Sequence, residues 1–441
     1  MLDKLKILYH YIRIKHGLKF NSKDMLIKWQ DEQVNKLLTY VMAHSSFYRE
    51  YYKGLSLENW KELPIIDKTV MMDNFDILNT VGISKLEAFE IAYKAEKFRD
   101  FSPMINDITI GLSSGTSGNR GIFLVSPEER YKWAGTILAK ALPGAIFSKH
   151  KIAFFLRANS NLYNTVGSKN IQFKFFDLLN PISEHITRLN EFKPILLVAP
   201  ASMLRLLAEA KQRQELHINP HKIISVAEVL DGLDEKYISN EFNQKIHQIY
   251  QCTEGFLATT CRYGTLHLNE DLVVIQKEYL DKDLHKFIPV ITDFSRLTQP
   301  IIRYRLNDIL TEKIEPCPCG CRFTAIEKIE GRCDDIFYLP SLDNSRLIPV
   351  FPDFISRTIA FTSNKINEYK AIQRNFESIE IFIDTTSEEK RALQEKVAGS
   401  LSELFSKLNC KQPNISYSES IDKPKDRKLK RVERVFAINQ E

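Results

Sequence analysis

Apolar residues recur at three- and four-residue intervals through most of the first hundred positions, and most regularly over residues 22–44, where an amphipathic helix is predicted. A turn is expected near Leu63-Pro64. From about residue 108 to 308 the texture changes. Short apolar runs such as 152–156 (IAFFL), 195–198 (ILLV) and 223–226 (IISV) alternate with helical stretches, which predicts an α/β sheet with covering helices. Beyond Pro289 the pattern becomes β-rich, with two apolar runs around a polar turn between residues 288 and 310. After Asp334 a smaller α+β unit is expected, with strands near 336–339 and 379–383, a helix across 387–408 and a basic tail. The fold class expected is α/β: a large domain over residues 1–331, a boundary at 332–335 and a small domain over 336–441.

Within this frame one loop stands out. Residues 113–121 (SSGTSGNRG) join an expected strand at 107–112 to another at 122–125, before Ser126-Pro127-Glu128-Glu129 opens a helix. Glycine lets the backbone N–H groups face oxyanions, and Ser113, Ser114, Thr116 and Ser117 add hydroxyl donors, with Gly115 and Gly118 between them. Walker and dinucleotide-binding loops lead from strand to helix, and here Gly118 is followed by Asn119 rather than Lys. The strand-to-strand setting excludes both and leaves a phosphate loop of another kind.

Composition changes this picture little. The 441 residues are 44% hydrophobic and 27% charged, with a net charge of +5, which makes no case for nucleic acid as partner. Residues 1–19 mix basic and apolar side chains without a signal-peptide pattern, so they read as a docked amphipathic helix, with a membrane-surface helix as the alternative. No stretch reaches membrane-spanning length, and stable insertion is not expected. Seven cysteines without a secretion signal point to a reducing cytoplasm.

Further motifs follow the loop in order: 250–254 (YQCTE), 304–310 (YRLNDIL) with Asp308, 331–335 (GRCDD), and Lys428 in the tail KPKDRKLKRV. Together they resemble the adenylate-forming acyl-CoA ligase superfamily, and within it the phenylacetate-CoA ligase and CapK-like branch. Residues 43–52, 63–75, 192–207 and 369–383 are similar to that branch, so the resemblance spans nearly the whole chain.

The resemblance implies an enzyme in which a carboxylate attacks the α-phosphorus of ATP, expels pyrophosphate and passes to coenzyme A as a thioester. Ser113, Ser114, Gly115, Thr116, Ser117 and Gly118 would cradle the terminal phosphates, Thr253 would meet the α-phosphate and Glu254 would hold Mg²⁺. Tyr250 would flank adenine, Asp308 would accept from the ribose, and Arg332 would contact ribose or phosphate. Lys428 would bridge the attacking carboxylate and phosphate, with Lys425 and Lys430 competing for that role. Asp334 matches the hinge about which the small domain turns as a mobile lid. The acid pocket is expected around residues 154–163 and 225–228, favouring an aryl or medium acyl acid. The chain departs from the family at Asn119-Arg120, at Gln251 and Asn307, which stand for Gly, and at Arg427. Transfer to a carrier protein or an amine, and a nucleotide-binding relative without turnover, remain as alternatives, and a homodimer stays open.

The cysteines supply a second signal. Cys261 and His267 precede Cys317, Cys319 and Cys321 in CPCGC, five soft ligands for a tetrahedral site that needs four. A structural Zn²⁺ held by Cys261, His267, Cys317 and Cys319 is expected, with Cys321 spare, against buried free thiols.

Overall fold

In the computed structural model of the chain the residues described are 2–17, 19–100, 104–113, 121–156, 159, 161–363, 365–366, 368–385, 390–420 and 430–437. They fall into two compact units. One comprises Met1–Glu228, Tyr237–Leu306 and Glu312–Glu327; the other comprises Val229–Lys236, Asn307–Thr311 and Lys328–Glu441. The large α/β part and smaller α+β part expected from the sequence are both present.

The first unit opens with helices α1 (Leu2–Ile12) and α2 (Lys23–His44). Ser22 caps α2 by accepting from the Met25 N–H at 3.1 Å, and Leu26, Val34, Leu37, Leu38 and Val41 line its buried face. Strands β1 (Ile108–Leu112) and β2 (Ile122–Val125) pair antiparallel, and the Ser113 N–H donates to Gly121 O at 2.8 Å. The glycine-rich segment therefore does join strand to strand, although residues 114–120, which include Ser114, Gly115, Thr116, Ser117 and Gly118, lie outside the described residues.

Helix α3 (Pro127–Ala141) starts at a capping box: Ser126 Oγ accepts from the Glu129 N–H and Glu129 Oε2 from the Ser126 N–H. The other Glu129 oxygen accepts from the N–H groups of Leu297 and Thr298 at 2.7 and 2.9 Å, so one buried carboxylate closes the helix end and anchors a distant turn. At the opposite end Lys15 and Lys222 donate to the carbonyls of Ala139 and Ala141, placing cations at the negative end of the helix dipole.

Five strands then form a parallel sheet: β3 (His150–Leu156), β4 (Ile171–Asp177), β5 (Leu196–Ala199), β6 (Lys222–Ser225) and β7 (Ile246–Gln251). Their order is β4-β3-β5-β6-β7, with helices α4 (Ile182–Phe192) and α5 (Ala201–Gln212) in the connections. Because β4 lies on one side of β3 and β5 on the other, the winding reverses at β3, where such sheets open a crevice at their carboxyl ends. Strands β8 (Phe256–Thr260) and β9 (Leu266–Leu268) continue it antiparallel. A second antiparallel set, β10 (Val273–Asp281), β11 (Lys286–Asp293) and β12 (Ile301–Arg305), has its middle strand wholly buried.

Burial, with the nearby charges of Lys222 and Lys245, lowers the His247 imidazole on β7 to about 4. The unfolded chain would bind a proton there below about 6.5 that the folded chain refuses, so stability falls as pH drops from 6.5 toward 4. Allowing for the ring's partial exposure, the loss is about 1–2 kcal/mol. Urea midpoints between pH 7 and 4.5 should therefore slope less in His247→Gln, whose amide can still reach Thr260 Oγ1; equal slopes would contradict this reading.

The second unit contains β13 (Asp308–Glu312) and β14 (Ala325–Arg332), each with its end in the first unit's range, then the hairpin β15 (Phe337–Pro340) and β16 (Leu347–Val350). Strands β17 (Glu368–Asn375) and β18 (Ser378–Asp384) pair antiparallel and are flanked, each in parallel, by β20 (Val432–Arg434) and β19 (Asn414–Ser418). Helices α6 (Pro352–Thr362) and α7 (Lys390–Lys407) contribute Ile355, Ile359, Val397, Leu401 and Phe405 to its core. Gln373, fully buried, satisfies its amide on the backbone of Tyr338, donating at 2.7 Å and accepting at 3.0 Å.

Candidate active site and metal centre

The chain leaves β7 through Cys252-Thr253-Glu254, at the carboxyl edge of the parallel sheet. The Cys252 N–H donates to Gly255 O at 3.0 Å, turning the backbone sharply into β8. A Cβ at Gly255 would stand 3.0 Å from Asp293 Oδ2 and 3.2 Å from Leu257 Cδ2, so any side chain there would crowd both. Asp293 itself is wholly buried, its carboxyl pushed up by that burial and held back by Ser295 and Arg296.

Two hydroxyls fix the Glu254 carboxylate. Thr253 Oγ1 donates to Oε2 at 2.9 Å and the Tyr304 phenol to Oε1 at 3.1 Å. Burial and the Glu254 charge hold that phenol far above its ordinary pKa, so Tyr304 stays a donor. Arg296 ties this turn to the strand after the glycine-rich loop, donating to Thr253 O at 3.3 Å and Leu124 O at 3.0 Å. On the other side, Ile66 exchanges backbone hydrogen bonds with Arg303 and Arg305 of β12, which delivers the next residues toward the loop. There Lys68 Nζ donates to Ser113 Oγ at 3.3 Å, and that oxygen also accepts the Gly121 N–H at 2.7 Å. A lysine ammonium thus stands where the phosphate-type loop begins and ends.

The remaining expected residues are placed as follows. Tyr250 is buried at the end of β7, and its neighbour Gln251 accepts from Trp133 Nε1 at 3.4 Å. Asp308, Arg332 and Asp334 belong to the second unit. Asn307 Nδ2 donates to Asp334 Oδ2 at 2.5 Å and the Cys333 N–H to Asn307 O at 3.0 Å, which brings the 307–308 and 332–335 segments together. Asn307 therefore has a task, holding Asp334. Lys428 lies outside the described residues, whereas Lys430 pairs with buried Asp335 at 2.8 Å.

Cys261, His267, Cys317 and Cys319 converge, their ligand atoms all within 4.8 Å of one another. Cys261 Sγ is 3.7 Å from Cys317 Sγ, and Cys319 Sγ is 3.4 Å from His267 Nε2. These separations fit a zinc tetrahedron, whose S···S edge is about 3.8 Å for Zn–S bonds of about 2.3 Å. His267 Nδ1 lies 3.1 Å from Phe323 O; an N–H there leaves the Nε2 lone pair for metal, the usual arrangement of a ligating histidine. Cys321 is exposed and falls outside the quartet, contributing its backbone N–H to Cys319 Sγ at 3.4 Å.

No family model matches the chain, and no curated protein matches it by sequence. Solved structures do. A 2-hydroxyisobutyryl-CoA ligase in the postadenylation state, in complex with 2-HIB-AMP, superposes with a TM-score of 0.70 over 94% of this chain and 90% of its own, at 16% identity. The chain has the fold of acyl-CoA ligases. A benzoate CoA ligase from Burkholderia xenovorans LB400 matches with a TM-score of 0.52 at 14% identity, over 75% of this chain and 69% of its own. An amide bond synthetase, McbA from Marinactinospora thermotolerans, matches with a TM-score of 0.52 at 10% identity, over 73% and 67%.

Set on this ligase fold, three residues, two at the Thr253-Glu254 turn and one at the glycine-rich loop, had not been singled out from sequence. Tyr304 belongs to the same motif as Asp308 and could have been found from it. Lys68 and Arg296 carry no local signal, since each acquires its partner across 45 and 43 positions of chain respectively.

Proposed function

We propose that this protein activates a carboxylic acid as an acyl- or aryl-adenylate, releasing pyrophosphate, and then transfers it to the thiol of coenzyme A, as a cytoplasmic member of the phenylacetate-CoA ligase and CapK-like branch. The observation that carries the reading is the Glu254 carboxylate, fixed by Thr253 and Tyr304 and tied through Arg296 to the strand that follows the glycine-rich loop. Residues 113–118 would bind the terminal phosphates of ATP, with Lys68 supplying a cation beside Ser113. Glu254 would hold Mg²⁺, Tyr250 would flank adenine, and Asp308 and Arg332 would meet the ribose. The Cys261, His267, Cys317 and Cys319 quartet would hold a structural Zn²⁺.

The acid pocket is assigned to the crevice beside β3. Phe154 lies against Tyr163 and Phe173, with ring centroids at 4.8 and 5.4 Å, and Tyr163 meets Trp133 at 5.7 Å. Burial pushes the Tyr163 phenol up to about 12. This half-buried aromatic cluster supports a planar aryl acid. With Lys430 engaged by Asp335, Lys428 is the favoured lysine for the attacking carboxylate, and Asp334 the hinge.

Pyrophosphate release over a panel of aryl and medium acyl acids, with and without coenzyme A, tests the reading. Acid-dependent release with a coenzyme A thioester is expected, and no release under any condition would overturn it. Lys428→Ala should lose adenylate formation while still making thioester from supplied acyl-adenylate, and Asp334→Pro should impair the second step more. Equal loss of both half-reactions in both variants would count against the alternating role. The likeness to an amide bond synthetase supports a second reading, transfer to an amine or a carrier protein; acid-dependent release without a coenzyme A product would select it.

The metal assignment has its own readout. Purified protein should contain one zinc per chain, and Cys261→Ser or Cys317→Ser should lose it together with several kcal/mol of stability, roughly what structural zinc contributes. Protein that is metal-free yet equally stable would remove the assignment.

A further inference from the structure

Helix α1 is apolar on two opposite faces. Toward the core, Tyr11 is buried and Ile7 and Leu8 pack with Ala134, Leu138 and Leu142. The contact is close: a Cβ at Gly135 would stand 2.5 Å from Ile7 O and 2.7 Å from His10 Cβ. The docked helix expected from sequence is thus present. Its outer face is the anomaly. Leu2, Leu5, Tyr9 and Ile12 are 65%, 56%, 61% and 49% exposed. At about 100° per residue these four fall in an arc of about 80°, a continuous stripe along the helix rather than scattered apolar side chains.

The charge of this segment is mostly of one sign, although Lys6 is paired with the exposed Glu128 of α3 and Lys23 with Glu270. Among residues 2–23 there are five lysines and one arginine against a single acid, Asp3, which is hydrogen-bonded with Tyr131. Lys4, His16 and Lys19 are exposed, as is Lys15, whose ammonium already donates to Ala139 O. A leucine, isoleucine and tyrosine stripe bordered by cations matches the interface of an anionic bilayer, where apolar side chains enter the acyl boundary, tyrosine sits at the headgroup level and ammonium groups meet lipid phosphate. A second copy of the chain fits less well. A two-fold contact through this stripe would bring the two sets of lysines toward each other with only Asp3 and Glu128, both already engaged, to offset them.

We propose that the outer face of α1 docks this protein onto an anionic lipid surface, with Leu2, Leu5, Tyr9 and Ile12 entering the interfacial layer and the exposed basic residues of the same segment contacting headgroups. Docking is peripheral and reversible: no helix among the described residues is long and apolar enough to cross a membrane. The proposal stands apart from the assigned chemistry, because none of these residues belongs to the candidate active site.

The test is co-sedimentation of the full chain with sucrose-loaded vesicles of phosphatidylcholine, alone or with about a third phosphatidylglycerol, at low and high salt. Partitioning at least tenfold stronger on the anionic vesicles, and weakened by salt, is expected. The double variant Leu5→Glu/Tyr9→Glu should lose at least tenfold in partitioning while keeping the wild-type thermal melt, since both side chains already face solvent. Lys4→Ser/Lys19→Ser should weaken binding to anionic vesicles and leave binding to neutral ones unchanged. Absence of wild-type binding to anionic vesicles, or equal binding by the Glu variant, overturns the proposal. So does a concentration-dependent dimer in sedimentation velocity that the Glu variant abolishes, which would give the face to a second copy.

Discussion

Glu254→Gln is expected to lower acid-dependent ATP–pyrophosphate exchange by about 10²–10³-fold, the range seen when one group that stabilises transition-state charge is removed. Two losses combine. The amide carries no charge with which to hold the Mg²⁺ proposed for this site, and its NH₂ must face one of the two hydroxyl donors that the carboxylate now accepts from, Thr253 Oγ1 or Tyr304 OH. Tyr304→Phe keeps the charge but frees one oxygen. It should cost about tenfold and raise the Mg·ATP concentration needed for half-maximal exchange, because a less constrained carboxylate holds the ion less well. Folding should be little affected in either variant. Exchange at the wild-type rate in Glu254→Gln would remove this carboxylate from the chemistry, whichever acid proves to be the substrate.

Asp234→Ala should destabilise the second unit by about 3–5 kcal/mol, the usual cost of stranding one member of a buried ion pair. Asp234 is 2% exposed and accepts from Arg431, whose guanidinium also lies 5.2 Å from the Tyr369 ring centroid. Asp231 supports the same cluster, accepting from the Tyr369 hydroxyl at 2.9 Å. Removing Asp234 leaves the guanidinium buried beside one remaining acid. Amides of β17 and β18 should then exchange with solvent about 10²–10³-fold faster, while those of β3 to β7 keep their protection. The double variant Asp234→Ala/Arg431→Met should regain part of the loss, because the orphaned charge is gone. Unchanged exchange in the single variant would show that the pair contributes nothing.

Much of the fold was legible because it depends on local spacing. The period of apolar positions announced α2, the alternating runs announced the parallel strands, and Ser126-Pro127-Glu128-Glu129 announced the start of α3. The strand-to-strand setting of the glycine-rich loop followed from the short apolar runs on either side of it, now paired as β1 and β2. The cysteine pattern offered five soft ligands, and the four expected to hold metal are the ones whose ligand atoms converge. Cys317 Sγ lies 3.7 Å from Cys261 Sγ and Cys319 Sγ 3.4 Å from His267 Nε2, while Cys321, two residues on, is exposed and outside the quartet.

By itself, then, the sequence determined the fold class, the order of the elements and the residue types available for chemistry, since each rests on side chains a few positions apart. The tertiary structure alone decided that Tyr304 and Thr253 hold Glu254, that Lys68 meets Ser113, and that Val229–Lys236 and Asn307–Thr311 belong to the second unit. The partners of Tyr304 and Glu254 are 50 positions apart and those of Arg431 and Asp234 are 197 apart. No local periodicity encodes such pairings; they exist only once the burial of both units' cores has brought the segments together.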